Sequence, residues 1–411
     1  MKRGFGIAVI AAIILSLIAL FSGCGSYNNT NGLGVVGTVT GGTSSGASGL
    51  TERAFVTNQN PNAGLTGLQV VDASKDQFAI NSSSLTPFTI TLGGTLPAQM
   101  FPGANNTTLV FDSGLNGISV VDNIKEKLIG TEVALPGPTE SVVATSDGKF
   151  AYAAIRRTSQ VVVLALTASP VTASALPAIP GAHRLVLSHN NSKLLVFSDD
   201  LDSFTVVNTS DNSLQTVSGA GLDRPTFGVF STDDSKAFIL NCGPECAGTQ
   251  ASVTSVDLTT TPPTVGQSIP VDAATIAATD ATNLYVAGTG SAGGKLDVLA
   301  LSNLAVSKSI GIGDGFHNIM TLYSGKVLVG AQTCTTGCLS VVDPNAGNAV
   351  VDSPKGDVTA IAPITPRKTI FYATEGGQLR IYDAGSGAEQ SDSQVDITGK
   401  ATSVEYVGPK T

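Results

Sequence analysis

The chain has no tryptophan, and its 7 tyrosines and 15 phenylalanines bring the aromatic content to only 5%. Sugar-binding sites stack rings on aromatic faces, so this scarcity counts against a carbohydrate reader without excluding one. Charge is also scarce. Asp, Glu, Lys and Arg make up 13% of 411 residues, and 22 basic against 31 acidic side chains leave a formal net charge of −9. No cluster of Lys and Arg breaks the acidic background, which argues against a nucleic-acid partner held through its phosphates. There are only 3 histidines and 5 cysteines. The sequence holds no Gly-x-Ser-x-Gly, no His-Glu-x-x-His and no Cys-x-x-Cys-His, so the short signatures of a hydrolase elbow, a zinc-protease helix and c-type haem attachment are missing. Residues 288–294, GTGSAGG, contain Gly-x-Gly but join two strands instead of opening a helix, and a phosphate cradle needs the helix.

What the chain has in quantity is glycine, 46 of them, together with Ser and Thr, a composition suited to tight turns between Thr-rich strands. A pattern of two apolar strands, the second ending in a Val-Val-Asp-like signature, recurs eight times. The copies are AFVTN (54–58) with LQVVDA (68–73), TLVFD (108–112) with ISVVDN (118–123), FAYAA (150–154) with VVVLAL (161–166), and KLLVFS (193–198) with FTVVNT (204–209). They continue with AFILN (237–241) and VTSVDL (253–258), LYVAG (284–288) and LDVLAL (296–301), VLVGA (327–331) and LSVVDP (339–344), and IFYAT (370–374) and LRIYDA (379–384). The Asp position falls at 72, 122, 165, 208, 257, 300, 343 and 383, in steps of 40 to 50 residues. That period, built only from short strands, predicts an all-β fold, a β-propeller.

A third strand precedes each pair, near 98–101, 140–145, 184–188, 226–230, 274–279, 317–322 and 358–362, and the eighth such strand, 402–407, follows the last pair. The first pair has none before it. The C-terminal strand is therefore expected to join the first blade beside residues 54–58, closing a ring of eight four-stranded blades with no open edge, a monomer; seven blades is the alternative if one copy is an insertion. The fourth strands are expected in the remaining segments, such as 88–92 and 394–398.

Copies such as AFVTN with LQVVDA and IFYAT with LRIYDA resemble the YVTN-type β-propeller repeat over roughly residues 51–408. The resemblance implies the propeller fold. It implies no one activity, because such propellers include surface-layer proteins, exported proteins and relatives of lactonases, and no catalytic set carries over.

Residues 1–23 read as an export signal: Lys2 and Arg3, then an apolar run from Ile7 to Phe21, then small residues. Phe21, Ser22, Gly23 and Cys24 resemble a bacterial lipobox, with Phe where Leu is usual, which implies cleavage before Cys24 and acylation of that residue. An uncleaved membrane-spanning anchor is the alternative, since 20 residues from Gly4 to Gly23 are enough to span. Residues 24–50, rich in Gly, Ser, Thr and Asn, read as a flexible tether with a reach of about 25–30 Å, followed by the propeller over 51–411. Both readings place the body in the bacterial cell envelope, on the outer membrane or the periplasmic side of a membrane.

Cys242 with Cys246 and Cys334 with Cys338 share Cys-x3-Cys spacing in the loops joining the second and third strands of their blades, and in an exported chain they are expected to form disulfides. Capture of a metal by the thiolates is the alternative. Aligning the positions that lead into each inner strand gives a ring of polar side chains, Glu140, His183, Arg224, Asp272, His317, Asp357 and Lys400, a candidate ligand mouth. The opposing expectation is a solvated rim. An acidic loop runs from Asp199 to Asp202 without the Gly and distal Glu of an EF-hand loop, and His189 falls in a solvated turn on the opposite face. No cofactor or metal is implied. Two functions remain open: a non-enzymatic binding or scaffold module that meets an envelope protein or a small ligand, and a lactonase-like hydrolase using His183 and His317.

Overall fold

The Val-Val-Asp signature is a strand with its own stop. In six copies the marker residue, Asp72, Asp122, Asn208, Asp257, Asp343 or Asp383, turns its side-chain oxygen onto backbone N–H groups two or three residues ahead, at 2.7–3.1 Å. These Asx turns satisfy the first donors after the strand and reverse the chain. A second turn repeats in three blades. Thr145, Ser188 and Ser231 each donate a hydroxyl to the residue two ahead (Asp147, Asn190, Asp233) and accept the N–H five residues on. Those hydrogen bonds, led by the hydroxyl contacts, pull Asp147 and Asp233 down to about 2.

The computed structural model describes residues 47–59, 67–81, 86–94, 96–198, 200–390 and 400–409. Its strands form eight antiparallel sheets. Each blade runs outward from an inner strand (A) through B and C, and in seven of the eight a D strand follows among the described residues, as in Pro225–Phe230, Lys236–Asn241, Ser252–Asp257 and Thr264–Pro270 of blade 5. The inner strands of blades 2 to 8 are Pro97–Pro102, Ser141–Ala144, Arg184–Leu187, Pro225–Phe230, Ile276–Thr279, Phe316–Tyr323 and Val358–Pro363. Blade 1 takes its inner strand, Val404–Gly408, from the chain's far end. It lies antiparallel to Arg53–Asn58 with Phe55 opposite Glu405 and Val56 opposite Val404. Consecutive inner strands touch all the way round, Val404–Gly408 bridging blades 8 and 2. Eight blades, not seven, close the ring.

Eight apolar clusters fill the eight interfaces between blades. Alternation along the closing strand shows how. Val404 and Tyr406 pack toward blade 8, while Val407 packs toward blade 2. The outermost strand of blade 1 is split: Gln77–Phe78 and Thr89–Ile90 both pair with Gly67–Asp72, and the segment that separates them falls within the longest repeat step, 72 to 122. The other expected fourth strand, 394–398, lies outside the described residues, as do the export signal, Cys24, most of the tether and Asp199. Among the described residues no helix is long and apolar enough to cross a membrane.

Candidate functional site

Loops from D to the next A, and from B to C, emerge on one face, here the upper; A–B and C–D turns emerge on the lower. The Cys-x3-Cys loops are both B–C loops, on blades 5 and 7. Cys242 is bonded to Cys246 at 2.02 Å, and Cys334 to Cys338 with Cα atoms 5.5 Å apart. The first loop carries Glu245, whose carboxylate accepts the Thr289 N–H of blade 6 at 2.9 Å. Burial pushes that carboxyl upward.

The polar ring expected on the upper face does not converge. Glu140 and His183 do meet, Oε2 to Nε2 at 2.8 Å, and this hydrogen bond holds the Glu140 carboxyl below its usual range. Arg224 lies 3.7 Å from Asp200, which also binds Arg156 at 3.1 Å, and its N–H donates to Asp202. The carboxylates of Asp200 and Asp202 are thus taken up by arginine and backbone. His317 is buried at 1% exposure. Its Nε2 lies 2.9 Å from the Gly313 carbonyl, which can only accept, so Nε2 carries the hydrogen. Desolvation lowers its pKa to about 4. It belongs to the blade 6–7 interface and not to a mouth shared with His183. Asp272 turns outward to Ser309, and its N–H donates to the buried Asp297, whose pKa burial raises. Asp357 accepts the Thr333 N–H and ties two loops together. Lys400 is exposed, with its carbonyl accepting from Gln59. His189 is more than solvated: its ring and backbone nitrogens bond Asp234 at 2.7 and 3.0 Å, joining the turns of blades 4 and 5.

The residue that does occupy the upper mouth is Arg184. It starts the inner strand of blade 4, yet its Nη1 donates to the Thr275 carbonyl of blade 6 at 3.2 Å and its guanidinium sits 5.5 Å from the Phe316 ring of blade 7. Blade 5 lies between, so the side chain runs along a chord of the ring.

Across the axis is a cavity of about 510 Å³, walled by the inner strands of blades 7, 8, 1 and 2 and reaching the lower rim at Thr365. Its wall is largely apolar (Met100, Phe101, Ile361, Val404), with Gln99, Thr359, Ser403, Glu405 and Tyr406 among it. Glu405 is the only carboxylate in any of the eight inner strands. Its Oε2 is enclosed by protein without a hydrogen-bond partner, as is Gln99 Oε1. Desolvation raises the Glu405 pKa to about 7. The sequence signal was present: one Glu in the middle of TSVEYV, where the only other acid in the expected inner strands, Glu140, stands at a strand's first position. Among the described residues, no group of three or more His, Cys, Asp or Glu is placed to hold a metal ion.

No protein-family signature matches the chain. No curated protein matches it. Solved structures do, and they place it in the β-propeller class. It is similar to the dihydro-heme d1 dehydrogenase NirN, at 14% identity and TM-score 0.61 over 87% of this chain and 75% of that one. It is similar to AztD from Citrobacter koseri, at 13% identity and TM-score 0.58 over 87% and 98%. A protein of unknown function from Desulfotomaculum acetoxidans matches at 15% identity and TM-score 0.54 over 87% and 100%. At such identities the likeness shows the fold alone.

Proposed function

We propose that the protein is an envelope-anchored, non-enzymatic binding module whose ligand site is the central channel. The observation that carries this is the cavity itself: about 510 Å³ on the ring axis, mostly apolar, with a few enclosed polar groups that lack partners. That size and composition suit a small organic ligand. The rigid ring keeps the cavity formed without a ligand, which lowers the ordering cost of binding. The lipobox resemblance at Cys24 and the tether that follows support attachment to a membrane.

Two substitutions test the site. Ala360→Phe fills the cavity from blade 8, and Thr365→Trp covers its lower rim from an exposed position. Both are expected to abolish small-molecule retention in equilibrium dialysis against envelope extract, with unchanged circular dichroism. Retention that survives both would place the ligand elsewhere. For the anchor, Cys24→Ser is expected to release the protein into the soluble fraction, and membrane retention of that variant would refute acylation.

A second reading, hydrolysis at the upper mouth, is favoured by the Glu140–His183 pair at 2.8 Å, a carboxylate-oriented imidazole. Turnover of lactones or esters that disappears in His183→Ala would establish it in place of the binding module.

A further inference from the structure

We infer that the channel cavity recognises a small organic ammonium ion, with Glu405 as its counter-charge and Phe101 and Tyr406 as its aromatic wall. This rests on the channel being the ligand site.

The lining contains one acid and no basic residue. An anionic ligand would meet an uncompensated carboxylate, and a purely apolar one would leave it unpaired. The two enclosed lining atoms without a well-formed hydrogen bond, Glu405 Oε2 and Gln99 Oε1, are both acceptors, and no positively charged donor stands in the wall to meet them. The last torsion of Glu is soft, and a turn about it presents either carboxylate oxygen to the cavity. An ammonium group supplies both the donor and the positive charge, and a charge-assisted bond in this setting is among the stronger kinds.

The aromatic rings favour an organic cation over a bare one. The chain has only 22 Phe and Tyr residues, and two of them line this cavity with the Met100 thioether. Aromatic faces attract ammonium groups, and the apolar remainder accommodates a hydrocarbon body. The Tyr406 hydroxyl donates to Glu52, which holds the ring in place.

Nothing else neutralises Glu405. On the strands packed against it, Arg53 is bonded to Glu126 at 2.9 Å, Glu52 accepts from Tyr406, and Asp112 accepts the N–H groups of Leu96, Gly114 and Leu115. On blade 2 the Thr108 hydroxyl hydrogen-bonds the carboxylate and works against the desolvation, but it is neutral and supplies no counter-charge. Free Glu405 titrates at about 7, and a bound cation pulls that value down. Binding is therefore strong above that pH and weakens as the pH falls through it.

The test uses benzylamine, with benzyl alcohol and benzoate as its neutral and anionic counterparts, titrated calorimetrically into the full propeller. Benzylamine is expected to bind at least about tenfold more tightly than the alcohol, benzoate not at all. Glu405→Gln should erase the amine's advantage and its pH dependence while leaving the alcohol within about twofold, since one hydrogen-bonding side chain replaces another and only the charge is lost. An amine that binds no better than the alcohol, or one indifferent to Glu405→Gln, overturns the ammonium assignment. If both bind equally and Ala360→Phe blocks both, the channel site stands and only the ligand class falls. If the amine binds but neither Ala360→Phe nor Thr365→Trp reduces it, the channel site itself falls.

Discussion

Replacing Thr57 by valine should loosen the closure of the ring with little change in the shape of the side chain. Thr57 is fully buried on the B strand of blade 1. Its Oγ1 accepts the backbone N–H of Ser403 at 2.8 Å and of Thr402 at 3.0 Å, and sits 2.9 Å from the Thr402 hydroxyl. Its own N–H donates to the Ser403 carbonyl at 3.0 Å. One hydroxyl thus seats the two residues that lead into Val404–Gly408, and Ser403 in turn accepts the Met100 N–H of blade 2 at 3.1 Å. Valine leaves two backbone donors facing a methyl group. A buried donor without a partner costs about 1–3 kcal/mol, and Thr402 is accessible enough to recover part of its loss from water, so the total is about 2–4 kcal/mol. The control is Thr226→Val. Thr226 is also buried, at 3% exposure, but its Oγ1 has no partner, so valine there should be neutral or stabilising. Urea unfolding followed by circular dichroism measures both, and Thr57→Ser should keep most of wild-type stability. A Thr57→Val midpoint equal to wild type, or an equal loss in Thr226→Val, would refute the reasoning.

Three more outcomes follow from the same geometry. Glu405 is raised to about 7 from 4.5, so the folded chain holds a proton that the unfolded chain has lost between those values; wild-type stability should fall as pH climbs through that window, and Glu405→Gln should gain on wild type in melts compared at about pH 5 and about pH 8. His317, lowered to about 4 from 6.5, contributes the opposite sign: stability is lost as pH falls through that window, and His317→Gln, which keeps a donor for the Gly313 carbonyl but cannot charge, should resist acid unfolding better than wild type. Removing the Cys242–Cys246 bond with serines should cost about 2 kcal/mol or less, because the closed loop is short, and hydrogen exchange should rise locally at Thr289, whose N–H partner Glu245 rides on that loop.

Much of the architecture was legible because each repeat states its strands and turns within its own residues. The Asp that marks the copies at 72, 122, 257, 343 and 383 is the residue whose side chain ends the strand, so the spacing of the signature is the spacing of the turns. The inner strands and the closing partner of Arg53–Asn58 followed from counting. The candidate site was less legible. Alignment placed Asp272, His317 and Asp357 at equivalent chain positions, but whether a side chain faces the axis or a neighbouring blade depends on twist and register at each loop. Asp272 turned out to Ser309, His317 in to Gly313, and Asp357 across to Thr333.

By itself the sequence determined what short-range chemistry can carry: eight strand–turn units, Asx and hydroxyl turns at their ends, paired cysteines four apart, and a final apolar segment without a local partner. Only the tertiary structure decided what meets across the ring. Arg184 reaches from blade 4 to blades 6 and 7, and Glu405, one letter in an apolar strand, becomes the sole acid in a cavity walled by four blades. The reason is physical. Turn chemistry acts over a few residues and is written in order along the chain, whereas the channel is assembled from strands about 300 residues apart that become neighbours only when the circle closes.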